Sequence, residues 1–335
     1  MPSILAGFRW WISVGFLWLI YACSSNPRKV IKLQGFALGT SYNIQYKFDI
    51  SQEETQKGVD SIFYVLNKSL STYHPQSDIS KINSGDTTVV VDHHFRTVFK
   101  KATEVWKATA GYFDPTVGAL VNAYGFGPDR SLNLVSNKQL DSLLQLTGWQ
   151  KVQLRSDHTI KKKSPYIYID FNALAKGYVV DIVGKFLQDL GSSDFMVEIG
   201  GEIVAKGNSP KTQQSWKIAI DDPRQGDERQ FLQTLALKDQ ALASSGNYRK
   251  YRVDATTGKK YVHSINPLTG SAQKTNILST SVKAPECITA DAWATALMVL
   301  PLEKGQALIQ NHPHLEALWA VAKDDQIQVV KSKYW

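Results

Sequence analysis

Apolar side chains recur along this chain at two different spacings, which predict strands in some segments and helices in others. Over residues 36–48 they fall at every second position, through Tyr42, Ile44 and Tyr46, as in a half-buried strand. Over residues 53–70 they fall three or four positions apart, as on one face of a helix. The same spacings predict helices over about 94–109 and 140–146 and a helix from near 289. They predict a strand over 166–170 that leads into a helix ending near 190. They also predict strands over 195–199 and 216–220 and a hairpin of 315–322 with 326–330.

The order of these elements bears on the fold class. Strands and helices are mixed without a regular alternation, which favours an α+β fold over a doubly wound parallel sheet. No linker longer than a few residues divides the chain, so we expect one compact unit. The 335 residues include 43% apolar and 20% charged residues, an ordinary globular composition that excludes disorder and coiled coil.

The first 22 residues have the character of an export signal. Arg9 is the only charged residue among them, and the apolar run that follows is too short to span a membrane. Ile20 stands three positions before Cys23 and Ala22 directly before it, which resembles a bacterial lipoprotein cleavage site. We therefore expect a lipid on Cys23 that anchors the protein to a membrane of the bacterial envelope, facing the periplasm or the exterior. The alternative is a soluble signal peptide in which Cys23 is incidental. The expected division is a signal peptide over 1–22, a tether over 23–30 and one domain over 31–335.

Charge and cysteine content exclude several classes of protein. The net charge of +8 becomes +7 once the signal peptide and its arginine are removed. The basic residues are dispersed and are not interleaved with aromatic residues, so we expect no nucleic-acid partner. The one basic cluster, the lysine triplet 161–163, is predicted to be a solvated turn. Cys23 and Cys287 are too few for a disulfide scaffold or a thiolate zinc site.

A first candidate site lies in the segment 170–181. Asp170 ends a predicted strand, and a helix is predicted to begin within six residues of it. The amino terminus of a helix offers free N–H groups that favour anions, and Lys176 is placed to meet a phosphate. The alternative is structural, with Asp170 capping the helix and Lys176 on the surface.

A second candidate site lies on the helix predicted from near Thr289. Asp291 and Thr295 are four residues apart and therefore share one face of that helix. A carboxylate and a hydroxyl suit a hard cation such as Mg²⁺, which keeps open positions for phosphate oxygens. The alternative is that Asp291 caps the helix and Thr295 is packed.

Two turns complete the set of candidate features. Gly200 and Gly201 follow an apolar strand and are predicted to form a tight turn. His263 precedes a second turn, over 266–270, that could place it as a base or as a ligand contact. A lone histidine is more often structural, so this residue alone indicates no activity.

In this order, several segments resemble the ApbE family, the FAD:protein FMN transferases. The resemblance runs from about Leu38 to Leu300, and it implies a single ApbE-like unit, similar to the T-fold, with mixed sheets and packed helices. It is carried by segments 38–42, 70–73, 77–80, 111–118, 170–181, 199–203, 244–248, 263–270 and 289–296, together with Asn83.

The resemblance implies group transfer rather than redox chemistry. Members of the family bind FAD and Mg²⁺, move the FMN half onto a threonine or serine hydroxyl of a partner protein, and release AMP. The expected partners are flavin-accepting subunits of membrane redox complexes, such as the Na⁺-translocating NADH:quinone reductase. The family's metal ligands match Asp291, Thr295 and the carbonyl of Ala173. We expect Asp291 and His263 to be the catalytic residues, with His263 as the base for the incoming hydroxyl. Its FAD contacts match Leu38, Tyr73, Tyr112, Phe113, Asp114, Asp170, Lys176, His263 and Ile265.

Two other functions are compatible with the same residues. One is an FAD pyrophosphatase, in which water replaces the protein hydroxyl and FMN and AMP are released. The other is a lipoprotein that binds flavin without turnover. The pair of Asp291 and Thr295 counts against the second, because binding alone needs no metal at the pyrophosphate.

Overall fold

A computed structural model describes residues 30–48, 51–128, 136–224, 229–247, 251–253, 260–272, 275–324 and 326–335. The predicted signal peptide and the lipidation position Cys23 lie outside these ranges, so both stay predictions. Within the described ranges, no helix combines the length and the apolar character needed to cross a membrane.

Fourteen strands are described. They are β1 (Val30–Ala37), β2 (Thr40–Lys47), β3 (Val152–Leu154), β4 (Ile160–Lys162), β5 (Phe195–Ile199), β6 (Glu202–Lys206), β7 (Trp216–Asp221), β8 (Phe231–Leu237), β9 (Gln240–Gly246), β10 (Tyr251–Val253), β11 (Lys260–Val262), β12 (Ile277–Ala284), β13 (Glu316–Lys323) and β14 (Gln326–Lys331).

Eight α-helices accompany them. They are α1 (Gln52–Leu70), α2 (Asp78–Asn83), α3 (His93–Ala108), α4 (Gly118–Ala123), α5 (Asn137–Leu146), α6 (Ala175–Asp189), α7 (Cys287–Val299) and α8 (Leu302–Gln310).

One eight-stranded antiparallel sheet organises the molecule, in the order β1-β2-β5-β6-β9-β12-β13-β14. Helices α6 and α7 pack against one face, where the larger apolar core lies. A smaller core that includes Trp216, Ile218 and Leu237 of the β7–β8 hairpin packs with Met196, Ile203 and Leu242 of the sheet. Mixed helices and antiparallel strands in one unit confirm the predicted α+β class.

Helix α7 lies at the centre of the core. Eleven of its residues are buried, including Asp291 and Trp293, and it packs against β9, β12 and α6. Because almost every side of this helix faces protein, its sequence is apolar around the whole circumference rather than along one stripe. A charged residue on such a helix is therefore buried, as Asp291 is, although the rest of the helix is mainly apolar.

The strand predicted over 36–48 is wrong in its extent, because the chain reverses direction within it. Strands β1 and β2 pair as a hairpin, with Leu38 and Gly39 in the turn between them. Both turn residues have positive φ, 54° at Leu38 and 75° at Gly39, the left-handed conformation that a two-residue hairpin needs. Leucine adopts this left-handed conformation only at some conformational cost, so Leu38 is not a typical turn residue. For this reason the spacing of side chains did not predict the turn.

The strand predicted over 166–170 is absent, although its side chains alternate as expected. Ile167 and Ile169 are buried, yet no neighbouring strand pairs with this described segment. Instead the side-chain amide of Asn83 receives the N–H of Ile169 and donates to its carbonyl, both at 2.8 Å. One asparagine at the end of α2 thus supplies the hydrogen bonds that a neighbouring strand would have made.

The lysine triplet 161–163 is not a solvated turn. Its first two residues belong to β4, and Nζ of Lys162 donates to the carbonyls of Ile82, Pro165 and Ile167 at 2.8–2.9 Å. Three convergent carbonyls satisfy the ammonium group, which explains why a lysine occupies this half-buried position. Lys162 and Asn83 together hold the segment that leads to Asp170.

We expect Asn83→Ala to destabilise the protein by about 2–4 kcal/mol, because it leaves the N–H and carbonyl of Ile169 without their partner. Urea unfolding followed by circular dichroism measures this loss. Ser84→Ala, at the exposed neighbouring position, is the matched control and should cost less than about 0.5 kcal/mol. Equal stabilities of the Asn83→Ala variant and the wild type would contradict this account of the segment.

Candidate active site

The close approach of α6 and α7 builds the centre of the site. Gly177 faces α7, and a β-carbon there would lie 2.8 Å from that of Asp291 and would collide with the carbonyl of Cys287. The missing side chain lets the N–H of Gly177 donate to Oδ2 of Asp291 at 2.9 Å. Asp291 is thereby held against the first turn of α6 although it lies on another helix.

A second carboxylate fixes the amino terminus of α7. Asp181, one turn further along α6, accepts the N–H groups of Cys287 and Ile288, each at 2.8 Å. These are free donors of the first turn of a helix, and a carboxylate is well placed there. Burial nevertheless dominates and raises the pKa of Asp181 to about 7. Asp181 and Gly177 join the two helices at adjacent points.

The hydrogen bond to Asp291 has a consequence for Ala173. In a continuous helix the N–H of Gly177 would donate to the carbonyl four residues earlier, which is that of Ala173. That N–H donates to Asp291 instead, and α6 begins only at Ala175. The Ala173 carbonyl therefore does not accept this helical hydrogen bond, which is compatible with a role as a metal ligand.

Lys176 and Glu202 extend the group of charges. Nζ of Lys176 lies 2.6 Å from Oε1 of Glu202, whose side chain is 4% exposed against 36% for the lysine. The second oxygen of Glu202, Oε2, is buried and has no hydrogen-bond partner among the described residues. The cluster is thus open to solvent at Lys176 and closed at both carboxylates, since Asp291 is 3% exposed.

The electrostatics of this cluster are unbalanced. Burial raises the pKa of Asp291 to about 7, helped by repulsion from Glu202 and opposed by Lys176 and the Gly177 N–H. Burial alone would lower the pKa of Lys176, but attraction to Asp291 and Glu202 outweighs it and raises that pKa above its usual value. One ammonium group faces two carboxylates, so the cluster lacks a positive charge.

The donors around Asp291 fit Mg²⁺. Thr295 lies one turn later on α7, with its hydroxyl 3.3 Å from that of Ser245 at the end of β9. A carboxylate, a hydroxyl and a free carbonyl are hard oxygen ligands, and an added cation would offset the excess negative charge. No group of three or more His, Cys, Asp or Glu side chains suited to a metal occurs in the described part of the chain. The three oxygens named above would supply only part of an octahedral shell, which would leave positions for phosphate oxygens.

Asp114 and Asp170 lie on neighbouring segments, joined by the N–H of Asp170, which donates to the Pro115 carbonyl at 2.8 Å. The carboxylate of Asp114 accepts backbone N–H groups of Thr116 and Trp149, so it holds its own loop together. Asp170 accepts the N–H of Asn172 at 2.7 Å and does not cap α6, whose capping position is Leu174.

The remaining candidate residues differ in their exposure to solvent. Tyr73 is 53% exposed, and its hydroxyl donates to the carbonyl of Phe126, whose ring lies 6.3 Å from that of His263. Tyr73 and His263 therefore border the same region. Phe113 is buried in the main core, and Ile265 is buried in a smaller apolar cluster against which Phe126 packs. Tyr112 is half-buried against the main core, as is Leu38 in its hairpin turn.

Three residues of the central cluster were not predicted from sequence. Glu202 follows the predicted tight turn, which the structure confirms between β5 and β6, and a carboxylate directly after paired glycines was the available signal. Asp181 had no such signal, because only the packing of α6 on α7 gives it a partner. Gly177 was visible in the sequence, but its role depends on a contact with a residue 114 positions away.

Comparison with known proteins identifies the family of this chain. A model of the ApbE family matches residues 38–319. The chain belongs to the ApbE family. It is similar to the FAD:protein FMN transferase of Vibrio cholerae serotype O1, with 34% identity over 323 residues that cover 95% of each chain. The enzyme of the same name from Haemophilus influenzae is 33% identical, over 99% of this chain and 96% of its own.

Solved structures of the family have the same fold. The flavin transferase ApbE from Vibrio cholerae superimposes with a TM-score of 0.81 at 32% identity, covering 92% of this chain and 98% of its own. The flavinyl transferase ApbE of Pseudomonas stutzeri in its apo form also gives 0.81, at 28% identity, over 91% and 95% of the two chains. The predicted family resemblance and the single ApbE-like unit are confirmed.

The raised pKa of Asp291 predicts a pH-dependent effect of Asp291→Asn in metal-free protein. Between about pH 4 and 7 the folded state binds more protons than the unfolded one, so this group lowers stability as pH rises. We expect Asp291→Asn in EDTA to raise the unfolding free energy by about 1–3 kcal/mol at pH 8 and to change little at pH 4.5.

Thermal unfolding at the two pH values measures this effect. Asp189→Asn is the matched control, because that carboxylate lies on the exposed end of α6 with Lys185 and should show no such pH dependence. A variant Asp291→Asn that is less stable than the wild type at pH 8 would show that the carboxylate is ionised at no cost.

Proposed function

We propose that this protein catalyses the Mg²⁺-dependent transfer of the FMN part of FAD to a threonine or serine hydroxyl of an acceptor protein, with release of AMP. Family membership supports flavin transfer, and its relatives carry the name FAD:protein FMN transferase. The observation that carries the proposal is the buried cluster of Asp291, Glu202 and Lys176. Its excess negative charge would be offset by a cation bound at the start of α6.

Asp291, Thr295 and the carbonyl of Ala173 are the residues that would hold Mg²⁺. When bound, the ion would neutralise charge on the pyrophosphate of FAD during phosphoryl transfer. Lys176, the one partly exposed member of the charged cluster, is the side chain that would meet a phosphate oxygen. Because the backbone N–H of Gly177 donates a hydrogen bond to Asp291, the carboxylate is oriented before any ligand binds.

Transfer requires that a hydroxyl oxygen form a bond to the FMN phosphorus while the bond from that phosphorus to AMP breaks. The hydroxyl proton needs an acceptor, and we assign this role to the imidazole of His263, whose unprotonated ring nitrogen can take it. Tyr73 presents an exposed aromatic ring close by, on which a flat ring system can stack. The remaining FAD contacts are assigned to Leu38, Tyr112, Phe113, Asp114, Asp170 and Ile265.

We further propose that the enzyme acts at the bacterial envelope. Its sequence begins with a signal-like segment that ends at Cys23, and a lipid there would anchor the domain to a membrane. The proposed acceptors are flavin-carrying subunits of membrane redox complexes, such as the Na⁺-translocating NADH:quinone reductase, which such an anchor would bring within reach.

A pyrophosphatase activity is the second candidate, favoured by one observation. The charged cluster is open to solvent at Lys176, so water can reach the place where the acceptor hydroxyl would attack. Hydrolysis of FAD would then yield FMN and AMP at the same residues. The absence or presence of an acceptor protein would decide between the two outcomes.

One experiment separates these functions. The full-length protein in detergent is incubated with FAD, Mg²⁺ and an acceptor subunit, and flavin fluorescence is recorded in a denaturing gel. A fluorescent acceptor band together with free AMP supports transfer, whereas FMN and AMP without a labelled band indicate the pyrophosphatase. FAD that is bound but unchanged would contradict both and would leave a flavin-binding protein.

We expect Asp291→Ala to lower the rate of flavin transfer at least about 100-fold, because it removes the only charged ligand proposed for Mg²⁺. The rate of appearance of the fluorescent acceptor band measures this loss. Asp189→Ala changes an exposed carboxylate on α6 and should keep the wild-type rate. Full activity of Asp291→Ala would refute the assignment of the metal site.

A further inference from the structure

We propose that Glu202 is a positioning residue that holds Lys176 away from Asp291 and so keeps that carboxylate available to a divalent cation. This inference rests on the proposed function, since it concerns the same metal site. It assigns a task to a buried carboxylate that the sequence did not mark as functional.

The backbone around Glu202 is built to place it. Gly200 and Gly201 both have positive φ, 66° and 105°, and they turn the chain from β5 into β6 so that Glu202 is the first residue after the turn. Oε1 of Glu198 accepts the N–H of Gly201 at 2.8 Å. A β-carbon at Gly200 would lie 2.9 Å from Cγ2 of Thr40, so the turn packs closely against the start of β2.

Lys176 has two carboxylates within its electrostatic reach but contacts only one. Its Nζ lies 2.6 Å from Glu202, whereas it forms no ion pair within 4.0 Å of Asp291 in the described structure. Attraction from Asp291 still acts on it. The backbone N–H of the next residue, Gly177, donates a hydrogen bond to Asp291, so Lys176 and Asp291 belong to closely packed turns of α6 and α7.

The two possible pairings have opposite effects on cation binding. With Lys176 on Glu202, the described hydrogen bond to Asp291 is that of the Gly177 N–H to Oδ2, so no ammonium group is bonded to the carboxylate that is proposed to hold the cation. With Lys176 on Asp291, the ammonium group would occupy the position of the cation and repel it. The buried, unpartnered Oε2 of Glu202 shows that this carboxylate is retained at an energetic cost, which a purely structural residue at the position would avoid.

The test is a double-mutant cycle read by metal binding rather than by turnover. Mn²⁺, which replaces Mg²⁺ at oxygen sites, is titrated into the full-length protein in detergent, and free Mn²⁺ is followed by electron paramagnetic resonance. The variants are Glu202→Gln, Lys176→Met and the two combined. Glu198→Gln on the same hairpin is the control, because it removes an equal charge and its amide oxygen can still accept the N–H of Gly201.

We expect Glu202→Gln to weaken Mn²⁺ binding at least about tenfold when Lys176 is present and less than about threefold in the Lys176→Met background. Glu198→Gln should bind Mn²⁺ within about twofold of the wild type. Glu202→Asp keeps a charge that the flexible lysine can follow, and it should restore most of the affinity. Circular dichroism melting of each variant establishes that it is folded.

Other results overturn the inference in distinguishable ways. An equal loss in both backgrounds would show that Glu202 acts on the cation through its own charge and not through Lys176. Unchanged binding in Glu202→Gln would show that Lys176 does not compete for Asp291. No Mn²⁺ binding by the wild type would refute the metal part of the proposed function, and the present inference with it.

Discussion

The contact between the first turn of α6 and the first turns of α7 determines the rest of the site. It exists because residue 177 is a glycine, whose N–H reaches Oδ2 of Asp291 where any side chain would keep the helices apart. Asp181 adds two further bonds to the free N–H groups of α7. The same contact directs the Gly177 N–H away from the Ala173 carbonyl. It therefore orients the Asp291 carboxylate and leaves the Ala173 carbonyl without that helical hydrogen bond.

Burial then gives these groups their chemistry. Two carboxylates and one ammonium group lie together at the end of the sheet where the turns at Leu38–Gly39 and Gly200–Gly201 also meet, through Thr40. An excess negative charge in such a place is costly unless a cation or a hydrogen-bond donor offsets it. Under the proposed function, relief of this cost would favour the binding of Mg²⁺ and, through it, of the pyrophosphate of FAD.

Sequence patterns predicted the parts of this arrangement that depend on local spacing. Asp291 and Thr295 share a helix face because 3.6 residues make a turn, and the glycine pair at 200–201 forms a turn because of its backbone freedom. The strand predicted over 166–170 is wrong: Ile167 and Ile169 are buried as in a strand, but the backbone of Ile169 bonds to the side chain of Asn83 and not to a neighbouring strand. Contacts between distant residues could not be predicted, because side-chain periodicity carries no information about which elements pack together.

The pairing of Lys176 with Glu202 is the clearest case. The lysine was predicted at a phosphate from its place near the start of a helix, and the glutamate had no assigned role; 26 residues and a change of element separate the two. Family similarity provided what periodicity could not, namely that segments from Leu38 to Leu300 belong to one site. The structure adds the electrostatic relation among three of their residues, Lys176, Glu202 and Asp291.

The central claim is that Asp291, Thr295 and the Ala173 carbonyl bind one divalent cation beside Lys176. Anomalous scattering from a crystal of the protein soaked with Mn²⁺ and FAD tests it most directly. We expect one anomalous peak about 2.0–2.3 Å from an Asp291 carboxylate oxygen and in contact with the Thr295 hydroxyl and the Ala173 carbonyl. A peak bound elsewhere, or none at these residues while FAD is visible, would contradict it.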